Sequence, residues 1–388
     1  MYQDPLVGSK NKSLEKENAN TAPLVVIIGT RAQLIKTAPV LTELERRGRT
    51  YRLILTGQHS ATMKALLDDF HVATAPEYVY SGPEVSGIAG MIFWMPKILL
   101  RLLKRRRLVF RGRHGERATV VVHGDTFSTL IGAIAGRLGG ARVAHVESGL
   151  RSFNVWNPFP EELTRILVFR LAHIAFCPGE WAADNMKNYK LEVVDTGQNT
   201  LLDALRTAVS EGRSRGENAA ADQYCVASIH RFENIFVRHR LEWIVRSLER
   251  VAQVYDVVFV MHPATEKRLR ATGLFERLNA NPRINFRERM PYMAFIRLLR
   301  ESSFVLTDGG SNQEELYYMQ KPTVILRNAT ERREGVGDSA VLCGFDDGVL
   351  EGFLRTIQRA TSGEEGLASE VYPSRIIVDR LLRDGEGG

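Results

Sequence analysis

"PLVVIIGTRAQLIKTAPVLTELERRG", residues Pro23–Gly48, decides the architecture. It opens with a β-branched run that has no polar alternation, the pattern of a parallel strand buried on both faces. From Leu34 the apolar residues recur at helical spacing and stop at Gly48, a residue suited to ending a helix. The cadence then repeats. "TYRLILTG" (Thr50–Gly57) and "ERATVVVHGDT" (Glu116–Thr126) read as strands, and the small-residue helix "LIGAIAGRLGG" leads into the strand "ARVAHVES". Strand and helix in alternation predict an open parallel α/β sheet.

After about residue 205 the rhythm restarts. "YCVASIH", "DVVFVMHP", "FVLTDGG" and "PTVILR" read as strands, separated by the helices "RLEWIVRSLERVAQVY", "PYMAFIRLLRESS" and "SNQEELYYMQK". The expectation is therefore an α/β protein of two Rossmann-like domains facing across a cleft, 23–204 and 205–368. A disordered tail over 1–22 precedes them, and a C-terminal helix within 369–388 is expected to fold back on the first. A chain of 388 residues is longer than one compact core usually supports, which agrees with two domains.

The totals exclude several classes. Three cysteines (Cys177, Cys225, Cys343), far apart and without CxxC pairing, argue against a disulfide framework or structural zinc and fit a reducing cytoplasm. The polar first residues lack the apolar core of a signal peptide. The net charge of +7 is local, because Arg101–Arg117 holds eight basic residues and one acid. The rest is balanced, so the whole chain does not read as a nucleic-acid binder. "SGIAGMIFWMPKILLRLLKRRR" (Ser86–Arg107) is apolar and then basic, interrupted by Pro96 and too short for a membrane span. It has two readings: a helix packed on its own sheet, or peripheral contact with the inner membrane face through Phe93, Trp94 and Arg101–Arg117.

In parallel sheets ligands lie beyond the carboxyl ends of the strands, and polar residues crowd there in this sequence. "DGGSNQEE" (Asp308–Glu315) places glycines and a serine before a helix, where backbone N–H groups can approach phosphate. Gln313, Glu314 and Glu315 are expected in its first turn; ordinary capping would explain Ser311 and the acids equally well. "GTRAQLIK" offers Arg31 and Lys36 but matches neither GxGxxG nor a Walker loop. "HGDTFST" has Asp125 at a strand end, also an ordinary position for an N-cap. His230 and His262 are isolated, and no HxxxH or HExxH pattern supports a metal. "VAHVESGLRSFNVWNPFPEELTR" (Val143–Arg165) crowds Glu147, Arg151, Glu161, Glu162 and Arg165 around an aromatic, proline-punctuated turn. Such crowding is either surface decoration or a proton-transfer site.

Taken in order, "GTRAQLIKTAPV", "TGQH", "HGDTFST", "HVESGLR", "PFPEELTR", "HRFEN", "TDGGSNQEE" and "LRNATERRE" resemble the UDP-N-acetylglucosamine 2-epimerase family over roughly residues 23–383. The resemblance implies a glycosyltransferase-B-like architecture, a cytoplasmic homodimer, a UDP-sugar substrate and no cofactor or metal. It implies interconversion of UDP-N-acetylglucosamine and UDP-N-acetylmannosamine by elimination and re-addition of UDP. Asp125, Glu147 and Glu161 match the family's catalytic acids, and His230 its catalytic histidine. By the same matching Arg31, Lys36, Arg165, Arg231, Gly310, Ser311, Glu315 and Arg332 would bind the nucleotide. This chain departs from the family's usual TRPE, DSGG and TERPE with "TRAQ", "DGGS" and "TERRE". Gln58 and His59 remain from a regulatory site whose other residues are replaced. A hydrolysing epimerase is a neighbouring reading; a glycosyltransferase or a non-catalytic binding or membrane-docking module would have no use for all of these acids.

Overall fold

In a computed structural model, residues 23–57, 60–80, 88–111, 116–156, 159–212, 223–330, 334–357, 367 and 369–383 are described. The expected tail at 1–22 lies outside them, as do Gln58, His59 and Arg332. Of the described residues, those up to Ala204 and from Val371 onward form one compact unit, and Leu205–Glu370 form the other.

The run that opens the sequence reading is strand β1 (Leu24–Ile28), every residue of which is buried. It is followed by β2 (Tyr51–Leu55), β3 (Glu77–Tyr78), β4 (Thr119–His123), β5 (Arg142–Val146), β6 (Ile174–Cys177) and β7 (Glu192–Asp195). These pair in parallel in the order β3-β2-β1-β4-β5-β6-β7, with Val26 opposite both Leu53 and Val121. The uninterrupted apolar runs of β1 and β4 follow from their central places, with helices covering both faces. The second unit holds β8 (Tyr224–Ile229), β9 (Asp256–Met261), β10 (Ile284–Arg287), β11 (Phe304–Thr307), β12 (Thr323–Ile325) and β13 (Ala340–Leu342). Their order is β10-β9-β8-β11-β12-β13, again parallel. Each sheet is therefore Rossmann-like, with its order reversing between β1 and β4 or between β8 and β11. At such a switch point the flanking loops part and leave a crevice beyond the strand ends.

The last helix, Pro373–Arg383, belongs to the first unit. Asp203 accepts hydrogen bonds from the Ser374 N–H and hydroxyl at 2.8 and 2.6 Å, and Arg47 bonds Asp379 at 2.6 Å. The helix Ile88–Lys104 packs Trp94, Ile98 and Leu102 into the core of this unit. Spaced four residues apart, these three form a single inner stripe. Trp94 is only 4% exposed, so the expectation that it reaches a membrane surface is corrected. Among the described residues no helix is long and apolar enough to cross a membrane.

Close packing at the switch point begins with Gly29. A Cβ there would sit 1.9 Å from Ser128 Oγ and 2.4 Å from Thr56 Oγ1, a pair of hydroxyls that already hydrogen-bond each other at 2.8 Å. Gly29→Ala is therefore expected to destabilise the protein by about 1–3 kcal/mol, as overpacking does. Denaturant unfolding measures this, and an unchanged midpoint would contradict the packing described.

Candidate active site

The first unit's crevice is built from the ends of β1, β4 and β5. Thr30 caps the helix Arg31–Arg46, accepting from the Gln33 N–H at 3.3 Å. The buried Gln33 amide accepts from the Gly29 and Thr30 N–H groups at 2.8 and 3.1 Å. Its NH2 donates to the His123 carbonyl at 2.6 Å and to Thr129 Oγ1 at 2.9 Å, tying the end of β1 to the end of β4. A carboxylate could serve the two N–H donors but not the carbonyl, which gives the "TRAQ" glutamine a physical reason. Arg31 opens this helix, and Lys36 lies one turn further along.

Glu147 follows β5 with φ of 62°, a left-handed conformation that strains a residue with a Cβ. Its carboxylate pairs with the Lys36 ammonium and accepts from Asn199 Nδ2 at 2.6 Å; His123 Nδ1 stands 3.8 Å away. Beneath it His145 is fully buried, with Nε2 2.8 Å from the Gly124 carbonyl and Nδ1 3.0 Å from Ser148 Oγ. Burial pushes His145 down to about 4, so at neutral pH it is an uncharged strut, donating from Nε2 and accepting at Nδ1.

Asp125 is not a helix cap. Thr126 caps the helix Phe127–Leu138, and Asp125 Oδ2 instead accepts from Arg165 Nε at 2.9 Å and Nη2 at 2.6 Å. Arg165 also reaches Glu162 at 3.4 Å. The resemblance groups Arg165 with the nucleotide-binding residues; in this structure its guanidinium lies on two carboxylates. Glu162 is 0% exposed and accepts from Arg151 Nε at 2.5 Å and the Ser152 N–H at 3.0 Å. Burial works to raise its carboxyl, but the Ser152 and Arg151 bonds and the charges of Arg151 and Arg165 outweigh it and hold it below the ordinary value. Glu161, its neighbour in the first turn of the helix Glu161–Leu171, has a buried Oε2 with no hydrogen-bond partner among the described residues. Glu162 and Asn199 carry no role in the sequence reading. The i,i+3 spacing of Glu162 and Arg165 was the available signal for the first; nothing local marks the second.

In the second unit the buried Asp308, just beyond β11, gathers the loop after β8. It accepts from the His230 N–H at 3.0 Å, the Arg231 N–H at 2.9 Å and Asn234 Nδ2 at 3.0 Å. His230 Nδ1 stands 3.3 Å from Asp308 while much of the ring remains exposed. A Cβ on Gly309 would come 2.9 Å from His230 Cε1, so a larger residue there would push the ring aside. Gly309, at the N-cap of the helix Gly310–Tyr318, offers no side chain to bond the N–H groups around Gly310 and Ser311. The first turn holds no acid, contrary to expectation; Glu314 and Glu315 lie further in and are buried. Glu315 lies beside Tyr292, whose hydroxyl is raised above its ordinary value by burial and by that carboxylate. Arg231 bonds Glu233 at 3.3 Å, and His262 caps the helix Pro263–Ala271, a structural role. Among the described residues no group of three or more His, Cys, Asp or Glu is placed to hold a metal ion.

Glu162→Gln keeps the shape of its site while removing the charge between two arginines. A loss of about 3 kcal/mol is expected at neutral pH. Because the folded-state value of Glu162 is depressed, its contribution is complete above the ordinary carboxylate range and disappears as pH falls through the folded value. The stability gap between wild type and variant should therefore close on acidification. Denaturation at a series of pH values measures it, and a pH-independent gap would contradict the assignment.

The family model described as UDP-N-acetylglucosamine 2-epimerase matches residues 42–372. The UDP-N-acetylglucosamine 2-epimerase of Methanocaldococcus jannaschii is 32% identical over 81% of this chain and 86% of its own length. The UDP-2,3-diacetamido-2,3-dideoxy-D-glucuronate 2-epimerase of Pseudomonas aeruginosa is 31% identical over 88% and 94%. A crystal structure of the M. jannaschii enzyme with UDP-GlcNAc and UDP superposes with a TM-score of 0.74 at 27% identity, covering 93% of this chain and 99% of that one.

Proposed function

The chain belongs to the UDP-N-acetylglucosamine 2-epimerase family, and from that premise we propose that it interconverts UDP-N-acetylglucosamine and UDP-N-acetylmannosamine without hydrolysis, as a cytoplasmic homodimer. The observation that carries this reading is the carboxylate cluster of the first unit: Glu147 on Lys36, Asp125 on Arg165, and Glu161 with an oxygen that no described residue engages.

The hydrogen at C2 of the sugar has no adjacent carbonyl to acidify it, so inversion needs a detour. The C1–O bond breaks with its electron pair passing to the diphosphate oxygen, a carboxylate takes the C2 proton, and a C1–C2 double bond remains. A proton then returns to C2 on the opposite face as the diphosphate oxygen closes on C1. Water is neither consumed nor released. Deprotonation on one face and protonation on the other would call for more than one carboxylate, and Asp125, Glu147 and Glu161 come from beyond β4, beyond β5 and from the helix Glu161–Leu171. Lys36 and Arg165 hold Glu147 and Asp125 in place, while positive charge developing at C1 is stabilised by the same acids. In the second unit, His230, Arg231 and the N–H groups at Gly310 and Ser311 suit a departing diphosphate, and Glu315 suits the ribose hydroxyls. Arg31 and Arg332 complete the assignment by motif alone.

Incubation with UDP-N-acetylglucosamine in D2O, followed by NMR, tests the reading. Deuterium at C2 and a mixture of the two UDP-sugars are expected. Glu147→Gln should lower kcat by ~100-fold or more and slow C2 exchange with it. Accumulation of UDP with free N-acetylmannosamine would mean a hydrolysing enzyme. Absence of C2 exchange with any 2-acetamido sugar nucleotide would end the epimerase reading.

A further inference from the structure

We propose that the first unit docks on an anionic lipid bilayer through the outward face of the helix Ile88–Lys104 and the cationic segment that follows it. With Trp94, Ile98 and Leu102 turned into the core, the opposite face presents Phe93, Pro96, Lys97, Leu100 and Lys104. These positions are spaced i, i+3, i+4, i+7 and i+11, a single helical face. Phe93 is 81% exposed and Leu100 58%. Around them stand the exposed cations Arg101, Arg105, Arg106, Arg107 and Arg111, and no Asp or Glu occurs between Ile88 and Arg111. Nearby Glu77 is bonded by Arg52 at 2.7 Å.

The face is anchored. Arg101 donates to the Val79 carbonyl at 2.7 Å, and the Lys97 ammonium lies 5.4 Å from the centre of the Tyr80 ring. The cationic surface also continues past the helix. Arg111 Nη2 is 3.4 Å from where a Cβ of Gly140 would stand, and burial together with the charges of Arg137, Arg142 and Arg117 depresses His173.

Chemistry selects the occupant. A second copy docking by the same face would oppose two like-charged surfaces, since a two-fold contact pairs a patch with itself. A nucleic-acid backbone would use the cations and leave Phe93 and Leu100 without a role. A bilayer uses both, acidic headgroups taking the cations and the acyl boundary taking the apolar side chains. Topology keeps docking compatible with turnover. The segment leading into β4 lies at the amino end of that parallel strand, whereas Gly124, Asp125 and Glu147 follow the carboxyl ends of β4 and β5.

Sedimentation of the full chain with vesicles tests the proposal independently of the chemistry. Phosphatidylcholine containing phosphatidylglycerol should carry the protein down at low salt, pure phosphatidylcholine should not, and added salt should release it. Reversing Lys104, Arg105, Arg106 and Arg107 to Glu should weaken binding ~100-fold or more. Phe93→Ser with Leu100→Ser should weaken it ~10-fold. Both variants should retain wild-type kcat/KM, which shows that they fold. No preference for acidic lipid, or binding that survives the charge reversal, would overturn the proposal. So would competition by duplex DNA combined with indifference to the Phe93 and Leu100 changes, which would mark a polyanion site instead.

Discussion

The ion pair between Lys36 and Glu147 is the constraint on which the catalytic end of the first unit depends. Strand β5 delivers Glu147 into a left-handed backbone conformation, with a side chain only 12% exposed. A carboxylate there loses most of its hydration and must find compensation within the protein. Lys36 supplies the charge and Asn199 a second donor, each from a different part of the chain. Lys36 itself is positioned by the helix that Thr30 and Gln33 start, and Gln33 in turn clasps the end of β4. The strained residue is thus over-determined by its neighbours, as strained residues at functional sites generally are.

The same accounting explains the rest of the cluster. Asp125 and Glu162 share Arg165, and Glu162 also holds Arg151. Together with Lys36 and Glu147 this makes a charge-balanced chain of three acids and three cations, which lowers the cost of burying any one of them. Glu161 stands outside that balance, with an oxygen that no described side chain engages. A buried acceptor left open beside a charge-balanced chain is a position where substrate chemistry has much to gain.

Much of this was legible in the sequence, and the exceptions have physical causes. β1, β4, β8 and β11 announce themselves because a central parallel strand must be apolar on both faces. β3 is only two residues long and β7 is mostly exposed, so neither leaves an apolar run to read. Glu161 and Glu162 look interchangeable as neighbours in "PEE". The helix turns them about 100° apart, sending one into the arginine pair and leaving the other open. Trp94 and Phe93 were likewise read together, yet one turns into the core and the other outward. The motif groups Arg165 with the nucleotide, and a sequence cannot show that its guanidinium also lies on Asp125.

The two units solve one topological problem with opposite chemistry. Each opens a switch point beside its first strand, and each places an aspartate near it. In the first, Asp125 is paired and joins other acids; in the second, Asp308 is buried beneath the loop and spends its oxygens on the backbone N–H groups of His230 and Arg231. There the second unit presents an imidazole and a helix whose N-cap is a glycine. The contrast lies in how each carboxylate is satisfied: Asp125 and Glu147 are paired with the cations Arg165 and Lys36, whereas Asp308 is satisfied mainly by backbone N–H groups and leaves much of the His230 ring exposed.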